Sequence, residues 1–151
     1  MKTEIKIEPC ENAFCVIHAP AATEKINLLA EKISMLDDSG DTVVFNGWDG
    51  DFCVKILAKD ILRIYSLDKK VFIETEQENL LLKLRLYEFE EICTKYGWSE
   101  FIRISNTDIV NFNHVKNLDL SLTGVIKINL KNGTQAIVSR RYMSKIKEEL
   151  K

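Results

Sequence analysis

The sequence predicts a mostly β protein, α+β overall, in which one short internal helix and one C-terminal helix interrupt a series of short strands. Short apolar runs recur from residue 42 onward and are separated by turn signals, as expected for antiparallel strands. Only two segments after residue 41 repeat apolar residues at helical spacing. Residues 1–40 have a different pattern and are expected to form a small ββα unit.

The N-terminal unit, residues 1–40, begins with two alternating stretches that predict strands at residues 4–8 (EIKIE) and 13–19 (AFCVIHA). Thr23 can cap the helix that follows, and residues 37–41 (DDSGD) predict a linker. A unit of this size buries too little apolar surface to be stable alone, so it is expected to pack on the rest or on a second copy of itself. We hypothesise that it dimerises the protein through one helix face, which carries Ile26, Leu29, Ile33 and Leu36.

The remainder, residues 41–151, is expected to form one domain of short strands and two helices. The predicted strands are residues 42–46, 52–57, 61–66, 70–76, 80–86, 101–105, 115–122, 125–131 and 134–139. The turn signals among them are Asn46-Gly47, Asp49-Gly50, Asp68-Lys69, Thr123-Gly124 and Asn132-Gly133. The internal helix is predicted from Leu86 to Tyr96, with Gly97 as its stop. Ser139 is the predicted N-cap of the last helix.

Composition excludes several classes of protein. No stretch approaches the roughly 18 apolar residues of a membrane helix, and the N-terminus lacks the apolar core of a signal peptide, so a cytoplasmic protein is expected. The four cysteines form no CxxC pair and are expected to be reduced thiols. Cys10 and Cys15 resemble half of a metal site, but the second pair is missing, so neither metal nor cofactor is expected.

No arrangement typical of an enzyme is present in the sequence. His18 and His114 lie at no known catalytic spacing, and no phosphate-binding or nucleophile motif occurs. The acidic run from Glu88 to Glu91 is explained by the solvated face of the predicted helix. The protein is therefore expected not to be an enzyme.

Charge is distributed unevenly along the chain. Residues 1–50 contain four basic and nine acidic side chains, whereas residues 101–151 contain nine basic and four acidic. Such a contrast hints at a nucleic-acid or acidic-protein surface, although a solvated basic end is the plainer interpretation. Arg140 and Arg141 are predicted in the first turn of the last helix, where a cation typically costs about 0.3–1 kcal/mol. Their position is unfavourable for an isolated helix and favourable for binding a polyanion.

Two blocks near the C-terminus resemble the LytTR-type DNA-binding domain of bacterial transcription regulators. The first is FIRISNTDIVNFNHVKNLD, residues 101–119, and it matches at Arg103, Ser105, Asn106, Ile109, Val110 and Asn111. The second is the hairpin and helix of residues 124–150, which match at Gly133, Val138, Ser139, Arg140, Arg141 and Tyr142. Residues 60–91 look like the family's opening hairpin, loop and short helix, so the resemblance covers about residues 41–151. Members often have His where this chain has Ser105, and His or Arg near Lys69.

The resemblance implies an elongated fold of stacked antiparallel β-sheets whose loops, rather than a recognition helix, contact double-stranded DNA. Carried over by position, the base-contacting residues are Lys69, Asn106 and Arg141. The expected contacts to the DNA backbone are Lys70, Arg103, Ser105, Arg140 and Tyr142. This division suits the chemistry, because Arg matches the O6/N7 edge of guanine and Asn matches the N6/N7 edge of adenine.

Each of these residues also has a purely structural interpretation. Either arginine can form a surface salt bridge with Glu148 or another acidic residue, and Asn106 can be a plain turn residue. The Lys69-Lys70 pair can be a hairpin tip without a partner, Arg103 can buttress the sheet, and Tyr142 can pack in the core. The corresponding alternative for the whole protein is a non-enzymatic interaction module that binds an acidic protein partner.

The expected function is that of a sequence-specific transcription regulator, a homodimer reading repeated operator sites. Many relatives carry a receiver domain of about 120 residues, whereas only about 40 residues precede the DNA-binding part here, so control by phosphorylation is not expected. Small members without a receiver domain resemble regulators that a neighbouring membrane protein holds inactive. That partner is implied by analogy alone.

Overall fold

The computed structural model describes residues 15–37 and 43–151, which belong to two compact units divided after Asp37. The first unit contains helix α1 (Glu24–Asp37). The second contains β1 (Val44–Asp49), β2 (Phe52–Leu57), β3 (Arg63–Leu67), β4 (Lys70–Glu74), β5 (Asn79–Leu82), α2 (Leu86–Tyr96), β6 (Phe101–Arg103), β7 (Asp108–Asn111), β8 (Val115–Asp119), β9 (Ile126–Leu130), β10 (Gln135–Val138) and α3 (Met143–Glu149). Short 3-10 helices occupy Ala58–Asp60, Phe112–His114 and Arg140–Tyr142.

The first unit confirms the predicted helix and its cap, because the Ile26 N–H donates to Thr23 Oγ1 at 3.3 Å. On the predicted dimer face, Ile26, Leu29 and Ile33 are half-buried, and the Leu36 side chain lies outside the described part. The strand predicted at residues 4–8 also lies outside it. The strand predicted at residues 13–19 is wrong for residues 15–19, which have no regular secondary structure. Alternation makes a strand only where a neighbouring strand completes the hydrogen-bond ladder.

The larger of two antiparallel sheets has seven strands in the order β2-β1-β5-β4-β3-β7-β6. Helix α2 packs on one face of it through Phe89, which is fully buried and lies 5.3 Å from Phe45 and 5.1 Å from Phe101 between ring centroids. Both ends of α2 agree with the prediction: the Glu88 carboxylate accepts the Arg85 N–H at 2.7 Å, and Gly97 ends the helix with φ +69°.

The smaller sheet has three strands in the order β10-β9-β8, and it shares a second core with the larger one. Along β9 every second residue is buried, which is the period of a strand with one face in a core. The fully buried Ile146 of α3 joins Leu62 and Ile104, which lie directly before β3 and directly after β6, in that core. Stacked antiparallel sheets with few helices therefore confirm the predicted fold class.

Local turn chemistry was predicted better than long-range packing. The turns at Asp49-Gly50, Asp68-Lys69, Thr123-Gly124 and Asn132-Gly133 are confirmed, each with positive φ at its second residue. The turn predicted at Asn46-Gly47 is wrong, because both residues lie inside β1 and Gly47 is buried. A Cβ atom on Gly47 would meet Leu80 and Ile56 side-chain atoms at 2.7–2.8 Å, so glycine there permits close packing. Strand β7 was not predicted.

Candidate nucleic-acid interface

Three chain segments meet at one edge of the larger sheet: residues 67–70, 104–107 and 139–142, together called the loop edge. β3 pairs with both β4 and β7, and the Ser66 N–H donates to the Thr107 carbonyl at 2.8 Å. This contact places the β3–β4 turn beside the β6–β7 loop. The Ser139 N–H donates to the Ile104 carbonyl at 3.0 Å, which attaches the third segment. The predicted DNA contacts therefore lie in adjacent segments.

The first segment is a two-residue hairpin turn that exposes Lys69 and Lys70. Asp68 and Lys69 have φ values of 50° and 63°, the left-handed conformation that a type I′ turn requires at both central positions. The turn twists with its strands and presents the two ammonium groups at the tip. Neither lysine has an ion pair within residues 15–37 and 43–151.

The second segment presents Asn106, which is exposed. The Tyr142 hydroxyl donates to Asn106 Oδ1 at 3.3 Å, across a separation of 36 residues. The amide Nδ2 donates to no group in the described part of the chain. Because the tyrosine occupies only one lone pair of Oδ1, both amide atoms stay available to a base edge.

Arg103 orders the second segment by hydrogen-bonding to its backbone. Its Nε donates to the Ser105 carbonyl at 2.9 Å and its Nη2 donates to the Asn106 carbonyl at 2.6 Å. Its Nη1 pairs with the Glu90 carboxylate at 2.7 Å. These contacts match the buttressing interpretation of Arg103 and use three of its five N–H donors, so two remain for a phosphate.

Ser105 contributes to the shape of the same loop. Its hydroxyl donates to Asp108 Oδ2 at 3.0 Å and accepts the Thr107 N–H at 3.1 Å. The Thr107 hydroxyl also donates to Asp108 Oδ2, at 2.8 Å. Asp108 therefore closes the loop from its C-terminal side and holds the backbone on both sides of Asn106.

A buried polar network, which the sequence did not reveal, continues from Asp108 into the protein. Arg63 donates from Nη1 to Asp108 Oδ1 at 3.2 Å and from Nε to Glu74 Oε2 at 2.8 Å. The Glu74 residue is only 3% exposed, and its Oε1 accepts from Asn132 Nδ2 at 2.8 Å and from the Thr134 hydroxyl. The network therefore connects the β9–β10 turn to the loop edge. No spacing in the sequence signals it, because its members are brought together only by the fold.

The third segment departs from the prediction in its local structure. Arg140–Tyr142 form a 3-10 turn, α3 begins only at Met143, and the Ser139 side chain makes no capping hydrogen bond. The two arginines thus precede the α-helix rather than occupy its first turn. Both are exposed, and no ion pair to them occurs among the described residues. Glu148, the predicted salt-bridge partner, instead pairs with Lys151 at 3.1 Å.

The described part of the chain offers no candidate metal site, and its one buried thiol is unreactive. It contains no cluster of three or more metal-ligating side chains. Burial raises the pKa of the Cys93 thiol to about 12, so that thiol is protonated and unreactive at neutral pH. In the same part of the chain, no helix has the length and apolarity to cross a membrane. Cys10, one of the two cysteines of the candidate metal pair, lies outside the residues that the structure describes.

A β-sheet scaffold that displays cationic and amide side chains on adjacent loops is the kind of surface that DNA-binding domains use. The model of the LytTr DNA-binding domain family matches residues 52–151. The chain belongs to the LytTR family of DNA-binding domains.

Two relatives and one solved structure show how far the similarity extends. The chain is 32% identical over 151 residues to a Staphylococcus aureus (strain COL) protein called an uncharacterized HTH-type transcriptional regulator, covering 99% of this chain and 98% of that protein. It is 31% identical, with the same coverage, to the protein of that description in strain MRSA252. It also matches the LytTr DNA-binding domain of a putative methyl-accepting/DNA response regulator from Bacillus cereus, with a TM-score of 0.65 and 25% identity, over 71% of this chain and 95% of that one.

These similarities support DNA-binding transcription regulation as the function, and the relatives are bacterial. The family is one of DNA-binding domains and not of enzymes, which confirms the expectation that the protein is not an enzyme. The relatives' names mention a helix-turn-helix, a motif of two helices joined by a short turn. In residues 43–151 the helices α2 and α3 are instead separated by five strands. The loop edge therefore replaces a recognition helix as the candidate interface.

Proposed function

We propose that the protein is a sequence-specific DNA-binding regulator that reads its operator through the loop edge. The hydrogen bond from Tyr142 to Asn106 carries this proposal, because it joins two loops that are far apart in sequence. Arg141, which neighbours Tyr142, and Asn106 are both exposed at this edge. One duplex is therefore able to contact both.

The proposed roles follow from the donors that each side chain has free. Arg141 reads guanine with its guanidinium, and Asn106 reads adenine with both atoms of its amide. Lys69 reaches a base edge from the hairpin tip. The backbone contacts are assigned to Lys70, Arg103, Ser105, Arg140 and Tyr142, and these position the duplex without specifying its sequence. Arg103 and Ser105 act mainly by holding the Asn106 loop.

The N-terminal unit is proposed to make the regulator a homodimer in the cytoplasm. The half-buried face of α1, with Ile26, Leu29 and Ile33 described and Leu36 predicted, is the proposed interface. A dimer places two loop edges on two half-sites and so matches repeated operators. By family analogy, an inhibitory membrane protein is a further proposed partner. Sedimentation that finds only monomer at micromolar concentration, with and without operator DNA, would contradict the dimer.

Selection of bound sequences from random duplex DNA tests the main proposal. The full chain is expected to enrich one motif, repeated at a spacing near a helical turn or its multiples. Binding to that motif is expected to weaken by about 10³–10⁵ between 50 and 200 mM salt if six to ten phosphates are contacted.

Asn106→Ala provides the sharper arm of the test. It is expected to lose discrimination at one adenine position while retaining affinity for scrambled DNA. Thr123→Ala, an exposed residue in the turn before β9, is the matched control and is expected to change neither quantity. Failure of the wild-type chain to enrich any motif would exclude sequence-specific reading and favour the acidic-partner alternative.

A further inference from the structure

A second cationic surface borders the loop edge. It is an open groove of about 840 Å³ between the β3–β4 turn, the end of β5 and the start of α2. This basic groove is lined by the cationic side chains of Lys69, Lys70, Lys83, Arg85 and Arg103. Its only acidic lining residue is Glu88, whose Oε2 accepts the backbone N–H of Arg85 at 2.7 Å. The groove therefore carries a clear excess of positive charge.

Strand order places the basic groove in line with the predicted DNA contacts. Val71 of β4 pairs with Leu82, the last residue of β5, so Lys70 and Lys83 both lie next to this pair, at the end where β3 turns into β4. β3 then pairs with β7, beside the Asn106 loop. The order along this edge is therefore Lys83, Lys70, Lys69 and Asn106, and the Arg140–Tyr142 turn is hydrogen-bonded to the Asn106 segment. Because strands are about 4.8 Å apart, β5 lies about 14 Å from β7, on the side away from Arg141.

Arg103 pairs with Glu90, whereas the other four cations of the groove form no ion pair among the described residues. Lys70 and Lys83 are like charges directly beyond the last register pair of β4 and β5, Val71 and Leu82. Like charges brought this close repel each other. Within residues 43–151, neither they nor Arg85 form an ion pair. Lys83 Nζ lies 3.7 Å from the centroid of the Trp48 ring, a cation–π contact that orders the side chain but leaves its charge uncompensated. A concave surface of this kind concentrates anions.

We propose that the basic groove binds the sugar-phosphate backbone of DNA that flanks the base-read segment, with Lys83 and Arg85 as the contacting side chains. The inference rests on the proposed function, because it needs a duplex lying along the loop edge. That duplex carries one phosphate per 3.4 Å on each strand and continues past Lys69 toward β5. The contacts are electrostatic and sequence-independent, so they lengthen the footprint without adding specificity.

The test compares two duplexes that share the selected motif. One is trimmed to the motif, and the other is extended on each side by about one helical turn, or ten base pairs. The double variant Lys83→Gln/Arg85→Gln is measured by fluorescence anisotropy across a salt series, in the full chain. The matched control is Lys59→Gln, an exposed lysine at the opposite end of β3 from the hairpin turn.

On the extended duplex, the double variant is expected to lower the slope of log K against log salt by up to about 1.8, or 0.9 per lost phosphate contact. Its affinity falls equally for the motif and for a scrambled sequence, and on the trimmed duplex it binds like the wild type. The charge-preserving variant Lys83→Arg/Arg85→Lys retains the wild-type slope, which separates loss of charge from loss of fold. The Lys59→Gln control leaves both duplexes unaffected.

Two results would overturn the proposal about the basic groove and leave the proposed function unaffected. One is a wild-type salt slope for the double variant on the extended duplex. The other is an equal loss on both duplexes, which would assign Lys83 and Arg85 to the motif itself. In either case the wild-type chain still selects its motif, so the proposed function stands. A wild-type chain that selects no motif would overturn both proposals together.

Discussion

Arg63 donates from Nε to the buried carboxylate of Glu74 at 2.8 Å, and this ion pair lies where the two sheets meet. Arg63 Nη1 also donates to Asp108 Oδ1 at 3.2 Å, next to the Asn106 loop. Glu74 Oε1 accepts from Asn132 Nδ2 of the β9–β10 turn at 2.8 Å. The pair thus contributes both to the stability of the domain and to the shape of the loop that is proposed to read DNA.

Arg63→Met is expected to destabilise the domain strongly. It leaves the Glu74 carboxylate buried without its cation, a change that typically costs about 3–5 kcal/mol. Urea unfolding followed by circular dichroism measures the free energy. The double variant Arg63→Met/Glu74→Gln is expected to regain a large part of the loss, because the buried charge is removed and only the partly exposed Asp108 still lacks its cation. A loss below about 1 kcal/mol for the single variant would show that Glu74 does not depend on Arg63 for its compensation.

Tyr142→Phe is expected to weaken sequence discrimination without unfolding the protein. It removes one hydrogen bond to Asn106 Oδ1, and a net contribution of about 0.5–1.5 kcal/mol corresponds to a roughly 2- to 12-fold loss of affinity for the selected motif. Affinity for scrambled DNA is expected to fall less than affinity for the motif, because only the proposed backbone contact of Tyr142 acts on it. Tyr96→Phe, on α2, is the matched control. Equal losses on both sequences would assign Tyr142 to the DNA backbone alone.

Arg141→Ala and Lys70→Ala are expected to separate specificity from affinity. Loss of a bidentate contact to guanine costs about 1–3 kcal/mol and relaxes preference at one position, so Arg141→Ala should act on the motif alone. Lys70→Ala should weaken all sequences alike and lower the salt slope by about one. Competition binding with motif and scrambled duplexes measures both quantities. Identical profiles for the two variants would refute the division of roles.

The sequence predicted those features that depend on neighbouring residues. The bounds of α2 follow from its apolar spacing and Gly97, and the Asp68-Lys69 and Asn132-Gly133 turns follow from local backbone chemistry. Residues 15–19 alternate as a strand does, but alternation does not supply the neighbouring strand. Gly47 was wrongly assigned to a turn. A side chain at this position would clash with Leu80, which lies far along the chain, so the need for glycine is not visible locally.

The candidate site shows the same division. The resemblance supplied the positions of Asn106 and Arg141, and the fold placed them at one edge. The Arg103 guanidinium donates three hydrogen bonds, one of them to Glu90 of α2. These contacts depend on distances between chain segments that the sequence does not encode locally. Lys83 and Arg85 were missed as DNA contacts because their relation to Lys70 exists only in the β4–β5 register. The roles of the base-contacting residues stay predictions.

Gly47→Ala is expected to destabilise the larger sheet. The added Cβ atom would lie 2.7–2.8 Å from Leu80 and Ile56 side-chain atoms, and overpacking of this kind typically costs about 1–3 kcal/mol. Chemical denaturation compares it with Asn46→Ala, an exposed neighbour on β1 that is expected to change stability by less than about 0.5 kcal/mol. A Gly47→Ala variant as stable as the wild type would show that the two side chains move aside freely.

Cys93 is expected to make stability depend on pH in the alkaline range. Burial, followed by the nearby charges of Glu100 and Glu90, raises the pKa of its thiol from 9.0 to about 12. Between these values the unfolded chain releases a proton that the folded chain keeps, so the free energy of unfolding falls by about 1.4 kcal/mol per pH unit from this group. Below pH 9 its contribution is fully present, and it is lost as pH rises toward 12.

Cys93→Ala isolates that contribution. All other titratable groups are common to both proteins, so the difference between their unfolding free energies, measured in urea from about pH 8 to 11, reports Cys93 alone. The variant is expected to be less stable than the wild type near about pH 8, because a cavity replaces the thiol. It is expected to lose less stability than the wild type as pH rises. Thiol labelling of the native protein should modify the exposed Cys15 and Cys53 and spare Cys93. Parallel pH profiles, or rapid labelling of Cys93, would show that water reaches this part of the core.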